Sequence, residues 1–335
     1  MLYYRPIAMT DAARPPQARP LAGGPCWFSH VEILERRRPP HLAPLSEVPD
    51  TMLARLTAPR AALAGLAMDR PQIMGILNVT PDSFSDGGRF LDPAAALAQA
   101  QAMVAEGAAL LDIGGESTRP GAAEVPVADE IARTEPVIAA LRDAGVPLSI
   151  DTRKAAVAQA ALAAGAGIVN DVSALSLDAG MAGVVAAAKV PLVLMHARGT
   201  PATMQDAPLY DDVLLDVCDW LARRIAVAEA AGIARGRIVV DPGIGFGKTV
   251  AHNLALIRGL SLFHGLGCPV LLGASRKRFI GTISGEEQAD RRVAGSLAVA
   301  LAGAAQGAQI LRVHDVAETR AALALARAIS GENSR

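Results

Sequence analysis

From Gln72 onward the chain repeats one pattern about every 30 residues: a short apolar run, then an Ala-rich stretch with apolar residues at helical spacing. The runs are QIMGILN, ALLDIG, PLSID, GIVNDV, PLVLMH, RIVVDP, PVLLGAS and QILRVH, eight in all. Continuous apolar runs of this kind are expected when both faces of a parallel strand are covered by protein. The stretches between them, such as PAAALAQAQAMVAEG and VADEIARTEPVIAALRDAG, end in Gly, a common helix stop. Alternating strand and helix signals predict an α/β fold.

Eight such units over about 250 residues match a (β/α)8 TIM barrel, with an open doubly wound sheet as the alternative. The polar residues favour the barrel. Each run ends in a chemically capable side chain: Asn78, Asp112, Asp151, Asn170, His196, Asp241, Ser275, then Arg312 and His314. A barrel gathers those ends on one face, where active sites sit, whereas an open sheet would spread them along a line.

Residues 1–70 are different in character. RPPQARPLAGGP and RRRPPHLAP are dense in backbone breakers, and CWFSHVEIL is the one stretch with the aromatic and β-branched residues of a short strand. The expected organisation is a partly ordered N-terminal extension over 1–70 and a barrel over 71–330. The extension reads as an arm packed on the main domain or a tail, and a sharper alternative has it plugging the closed end of the barrel.

Composition narrows the function. The chain has 335 residues, enough for one domain of barrel size, and a formal net charge of −1. That charge offers no bulk attraction for nucleic acid or an anionic membrane, so an anionic ligand must be held by a local cluster. Cys26, Cys218 and Cys268 are odd in number and share no metal-ligand spacing, which argues against a disulfide framework or a zinc site. No apolar run approaches the roughly 20 residues of a membrane span, and the N-terminus lacks a signal-peptide core. A cytoplasmic protein acting on small molecules is expected.

MGILNVTPDSFSDGGRF leaves the first strand through Asn78 as a long Pro, Asp, Ser and Gly loop, and GGESTRPGAAEVP follows Asp112. Loops of this length at the active face read as lids, and Thr118 with Arg119 suits donation to phosphate oxygens. DPGIGFGKT resembles a nucleotide loop but fails its spacing. A P-loop puts four residues between its first Gly and Gly-Lys, whereas three separate Gly243 from Gly247 and Lys248. Its glycines are expected to let backbone pass close to a ligand, with Asp241 as the polar contact.

Asp151, Asn170, Asp241 and Lys277 form the most informative set, because a planar heterocycle with an amino group, a ring N–H and a carbonyl is read by a carboxylate, an amide and an ammonium. Any one of the aspartates could merely cap a helix. Arg312 and His314, two apart in a strand, point to the same side as a cationic clamp for an anion such as a pyrophosphate. Met195 and Phe84 either line a slot for a flat ring or simply pack. His196 reads as core or pocket wall, and His252 and His264 as ordinary surface or helix residues. Two carboxylates also fit glycosidase chemistry, but the chain has few aromatics for stacking sugars.

Taken in order, ILNVTPDSFSDGG, DIGGESTRPG, IDTRK, VNDV, DPGIGFGK, GASRKRFIG and RVHDV resemble the successive signature blocks of the dihydropteroate synthase family, over Gln72 to Ile329. The resemblance implies a pterin deep in the barrel against Asp151, Asn170, Asp241, Lys277 and Met195. It implies a pyrophosphate nearer the mouth on Asn78, Thr118, Arg312 and His314, with Mg2+ at Asn78. Phe84, Thr118 and Pro120 would shape the p-aminobenzoate slot, where sulfonamides compete in this family. Family members vary at the position of Arg278, so the contact to the benzoate carboxylate is left open between that residue and the N-terminus of the following helix.

The chemistry implied is condensation of 6-hydroxymethyl-7,8-dihydropterin pyrophosphate with p-aminobenzoate. Asp151, Lys277, Arg312 and His314 are the expected catalytic residues, and a homodimer through outer helices is the expected assembly. Two rivals stand beside this reading: a methyltetrahydrofolate:corrinoid methyltransferase, which has little use for the Arg312 and His314 clamp, and a non-catalytic pterin-binding paralogue.

Overall fold

The computed structural model describes residues 1–80, 93–117, 122–199 and 208–331. The extension is built on β1 (Leu2–Pro6), β2 (Arg19–Pro20), β3 (Trp27–Phe28), β4 (His30–Glu35), β5 (Arg38–Pro44) and α1 (Asp50–Thr57). Strand β4 lies between β1 and β5 in an antiparallel sheet, and β2 pairs with β3. Leu21, Phe28, Val31, Ile33, Ala43 and Leu56 form its own small core.

The stretch RRRPPHLAP, read as breakers, supplies β5. Pro39 and Pro40 are tolerated there because β5 is an edge strand, where a missing N–H costs no pairing on the outer side. The sheet is tied to the barrel by Tyr3, whose hydroxyl lies 2.9 Å from both oxygens of Asp219, and by Arg36, which meets Asp216 at 2.6 Å and Asp219 at 2.8 Å.

The barrel follows as β6 (Gln72–Asn78), α2 (Pro93–Glu106), β7 (Leu110–Gly114), α3 (Val127–Leu141), β8 (Leu148–Asp151), α4 (Ala155–Ala164), β9 (Ile168–Asp171) and α5 (Met181–Ala188). Next come β10 (Leu192–Met195), α6 (Val213–Ala230), β11 (Ile238–Asp241), α7 (Val250–Arg258), β12 (Leu271–Leu272), α8 (Arg278–Ser284), α9 (Val293–Ala304), β13 (Ile310–Val313) and α10 (Val316–Ile329). The eight strands β6 to β13 pair in parallel in the order β11-β10-β9-β8-β7-β6-β13-β12. A parallel bridge from Val240 to Val270 joins the two ends. That closure decides for the barrel over the open sheet.

Alternation along each strand divides the side chains. Ile73, Leu111, Ile113, Ile150, Val169 and Leu194 pack outward in the cluster that also takes in the helices. Met74, Leu110, Ile168, Val193, Val239, Leu271 and Ile310 point inward and form the barrel floor. Leu63 and Met68, with Leu66 at their edge, pack against that floor from below. The segment after α1 thus closes the barrel at the N-terminal ends of its strands. A cavity of about 320 Å³ lies between the extension and α10 and contains none of the predicted site residues.

Candidate active site

Two residues beyond the floor, the inward positions turn polar. Asp112 follows Leu110, Asn170 follows Ile168, Asp241 follows Val239 and Arg312 follows Ile310, each on its own strand. Met195 and Gly273 occupy the same level after Val193 and Leu271. One repeat of the pleat therefore converts an apolar plug into a ring of hydrogen-bonding groups.

Asp112 is the centre of one half. Its side chain is fully buried, and Oδ2 accepts from Asn170 Nδ2 at 2.9 Å and from Arg312 Nε at 2.6 Å. Its Oδ1 has no partner among the described residues. The other arm of Arg312, Nη2, donates to Asp151 Oδ2 at 2.8 Å. Burial pushes Asp151 up to about 7 against the pull of Arg312, with the charges of Asp112 and Glu130 adding to the rise.

Asp241 and Lys277 form the other half. The Gly243 N–H donates to Asp241 Oδ1 at 2.7 Å. Gly273 brings the halves together: a Cβ there would lie 3.6 Å from Asp241 Oδ2 and 3.7 Å from Arg312 Cβ. The Lys277 ammonium donates to the Ile244 carbonyl and sits 4.2 Å from the centre of the Phe246 ring, a cation–π contact. Burial lowers Lys277 to about 7, opposed by Asp241, and burial raises Asp241, opposed by Lys277.

Lys277 follows a strained turn. Arg276 has φ 58°, in the left-handed region, and is held there by its N–H to Ser296 Oγ at 2.9 Å and by its guanidinium on Asp315. Nearer the mouth, Ser275 Oγ meets both the N–H of His314 at 3.2 Å and its Nδ1 at 3.0 Å. Asn78 is half-buried at the end of β6, opposite Gly114 on β7.

The structure thus brings Asp151, Asn170, Asp241, Lys277 and Arg312 into one polar layer, with Met195 at its level. Phe84, Thr118, Arg119 and Pro120 lie outside the described residues.

Three features were not anticipated by the sequence reading. Two of the three glycines of DPGIGFG face neighbouring backbone: a Cβ on Gly243 would stand 1.8 Å from the His196 carbonyl oxygen, and one on Gly247 would stand 2.3 Å from that of Arg198, while one on Gly245 would stand 2.9 Å from the Lys277 side chain. Arg312 is shared between two carboxylates at the level of Asn170 and Asp241. His264 is fully buried, and burial holds it down to about 3.

Sequence reasoning also passed over a buried ion cluster behind Asp151. Glu130 is fully buried on α3 and takes Thr152 Oγ1 at 2.6 Å and Lys154 Nζ at 2.7 Å. Glu116 takes Arg153 at 2.8 Å, the Val125 N–H at 3.0 Å and Lys154 at 3.3 Å. The residues stand in DIGGESTRPG and IDTRK, but nothing in a helical glutamate's sequence context signals burial. Asp112 was readable as a strand end, and its place in an apolar run was the available clue.

This layered arrangement has close counterparts. Residues 74–314 match the model of the pterin binding enzyme family. The dihydropteroate synthase of Neisseria meningitidis serogroup B is 50% identical over 263 residues, 77% of this chain and 92% of that protein. The chain belongs to the dihydropteroate synthase family. Among solved structures of that family, the Xanthomonas albilineans enzyme with 4-aminobenzoic acid superposes with a TM-score of 0.75 at 52% identity, covering 81% of this chain and 98% of that one. The same enzyme with 7,8-dihydropteroate gives a TM-score of 0.73 at 49% identity, again over 81% and 98% of the two chains.

Proposed function

We propose that the chain condenses 6-hydroxymethyl-7,8-dihydropterin pyrophosphate with p-aminobenzoate, giving 7,8-dihydropteroate and pyrophosphate, with the roles that follow. One observation carries the assignment of roles. Groups as far as 200 positions apart in sequence converge on one buried layer, and that layer retains a carboxylate oxygen on Asp112 that has no partner among the described residues. A buried acceptor without a donor is costly, and a heterocycle N–H relieves it.

In this reading Asp241 accepts from the exocyclic amine and the adjacent ring N–H. Lys277 donates to the ring carbonyl, Asn170 pairs with the ring edge, and Met195 lies against its face. His314 and Arg312 border the pyrophosphate, with Thr118. Phe84 and Pro120, with Thr118, shape the benzoate slot, where a sulfonamide would compete.

The C–O bond between the pterin methylene and the pyrophosphate breaks first, and its electron pair leaves with the pyrophosphate. Asp151 offsets the positive charge left on the pterin methylene. The aniline nitrogen is neutral at physiological pH, so it attacks with its own lone pair and releases its proton to the departing pyrophosphate or water. Asn78 offers a hard amide oxygen, a donor that suits Mg2+, which takes few protein ligands beside phosphate oxygens and water. Asn78 would hold that ion, and the ion would supply charge neutralisation for the leaving group.

Two further parts of the reading concern the protein's state. A homodimer is supported by Leu325 and Ile329, 63% and 78% exposed and four residues apart on α10. A cytoplasmic location is supported by Cys26, Cys218 and Cys268, which remain buried thiols.

The deciding experiment incubates the purified chain with both substrates, with and without Mg2+, and follows dihydropteroate. Product that needs all three components supports the assignment. Tight pterin binding with no product would replace it with a non-catalytic pterin-binding role.

A further inference from the structure

DPGIGFGK ends in a lysine, Lys248, that the condensation leaves unused. Lys248 is 3% exposed, and its Nζ makes three contacts: His196 Nδ1 at 2.9 Å, the His196 carbonyl at 3.2 Å and the Phe246 carbonyl at 2.9 Å. An ammonium has three protons, one for each acceptor. The contacts also survive loss of a proton, since the amine then donates to both carbonyls and accepts from a Nδ1–H. Burial favours that neutral form, with Asp241 opposing it.

What Lys248 joins matters more than its charge. His196 follows Met195 at the end of β10, and its ring is wedged edge-on against Trp220, with centroids 4.9 Å apart. Phe246 belongs to the turn after β11. On its outer side that turn is also held by Tyr210, whose hydroxyl reaches the Gly247 carbonyl at 2.8 Å, and by Asn253, which takes the Gly245 N–H at 2.7 Å. The same turn presents to Lys277 both the Ile244 carbonyl and the Phe246 ring.

We infer that Lys248 is a positioning residue for the condensation: by fastening the Gly243–Gly247 turn to His196, it holds the Ile244 carbonyl and Phe246 ring in the places that fix the Lys277 side chain. The inference rests on the substrate role given to Lys277 above.

A double-mutant cycle tests it, using kcat and KM for both substrates and equilibrium binding of 6-hydroxymethylpterin on the full chain. Lys248→Met is expected to lower kcat/KM for the pterin pyrophosphate about tenfold or more, and to add little once Lys277→Met is present, because residues that act through one another are non-additive. Losses that multiply would overturn the inference, since Lys248 would then act independently of Lys277. A harmless Lys277→Met would overturn the role of Lys277 itself, a separate failure visible in that single variant, and the inference with it.

If Lys248→Met does not fold, the acceptor can be changed in its place. Asn at 196 keeps a side-chain oxygen close to where Nδ1 stands, and Leu does not. His196→Leu should reproduce the Lys277-dependent loss and His196→Asn should lose less; equal losses in the two would overturn the inference.

Discussion

Arg312 spans the barrel interior to place Nη2 2.8 Å from Asp151 Oδ2, while its Nε stays 2.6 Å from Asp112. Asp151 therefore sits in the same polar layer as its strand neighbour Asn170, with its charge partly offset before any substrate arrives. In the role proposed for it, Asp151 has most to do when positive charge develops on the pterin methylene. Asp151→Asn keeps an oxygen for Arg312 and removes the charge. We expect kcat to fall about a hundredfold or more, the scale of losing one well-placed electrostatic group, with pterin affinity changed only a few-fold. Equal losses in kcat and in binding, measured by steady-state kinetics and pterin titration, would remove the special role of Asp151.

Asp112 is expected to matter for stability as much as for binding. Asp112→Leu leaves Asn170 without its carboxylate partner and leaves Arg312, 19% exposed at its side chain, with Asp151 alone. Breaking one partner out of a buried charge set costs about 3 kcal/mol or more. The Arg235–Glu229 pair provides the contrast: both side chains are 37% exposed, and Glu229→Ala should cost less than about 1 kcal/mol. Urea unfolding of the two variants should separate them clearly, and similar midpoints would contradict the buried network.

The pH dependence follows from two groups moved in opposite directions. Burial raises Asp151 to about 7 and lowers Lys277 to about 7. Activity should fall on the acid side as Asp151 takes up a proton and loses the charge that faces the cation. It should fall on the alkaline side as Lys277 loses its proton and with it the charge facing the ring carbonyl. The profile of kcat/KM for the pterin substrate in the free enzyme should be a narrow bell near neutrality, its two limbs belonging to the coupled set. Lys277→Arg carries a cation that does not titrate in this range, so its alkaline limb should move upward while its acid limb stays. An unmoved alkaline limb would assign that titration to another group.

Much of this was legible because strands and chemistry share a period. Each of the eight apolar runs became a strand within a residue or two, except PVLLGAS, where regular pairing shrinks to Leu271–Leu272 beside the close approach of Asp241 and Arg312 at Gly273. The strand-end polar residues that point inward assembled as alternation requires. What stayed hidden were contacts set by closure. Asp112 finds Asn170 and Arg312 at separations of 58 and 200 residues, and Glu130 looks like any solvated helical acid until Lys154 meets it. RRRPPHLAP was misread because proline content speaks against central strands, and only the pairing order reveals an edge.

The turn after β11 allows a sharp test of backbone crowding. Gly243 has φ +67°, and a Cβ there would stand 1.8 Å from the His196 carbonyl oxygen, far inside contact distance and against backbone that cannot swing aside. Gly243→Ala should cost several kcal/mol through strain and displacement of the turn, and it should also weaken pterin binding because Asp241 Oδ1 takes the Gly243 N–H. Gly145 supplies the comparison, having φ +80° with nothing within 4 Å of the added carbon. Gly145→Ala bears only the conformational penalty, about 1 kcal/mol, and thermal unfolding should rank the two far apart.

On α6 the extension is held by two carboxylates, Asp216 and Asp219. Asp219 on α6 receives the Tyr3 hydroxyl and Arg36 Nη2, while Asp216 one turn earlier receives Arg36 Nη1 and the N–H groups of Asp211 and Asp212. Burial of its own apolar core keeps the β1-β4-β5 sheet folded, so removing Asp219 should loosen the docking without unfolding the sheet. Asp219→Ala should speed proteolytic cleavage between the extension and the barrel several-fold and leave kcat unchanged, because the strand ends that bear the site are at the other end of the barrel from the Leu63 and Met68 plug. A fall in kcat that tracks the cleavage rate would mean that the docked extension supports the site through the barrel floor, and the independence of the two ends would have to be abandoned.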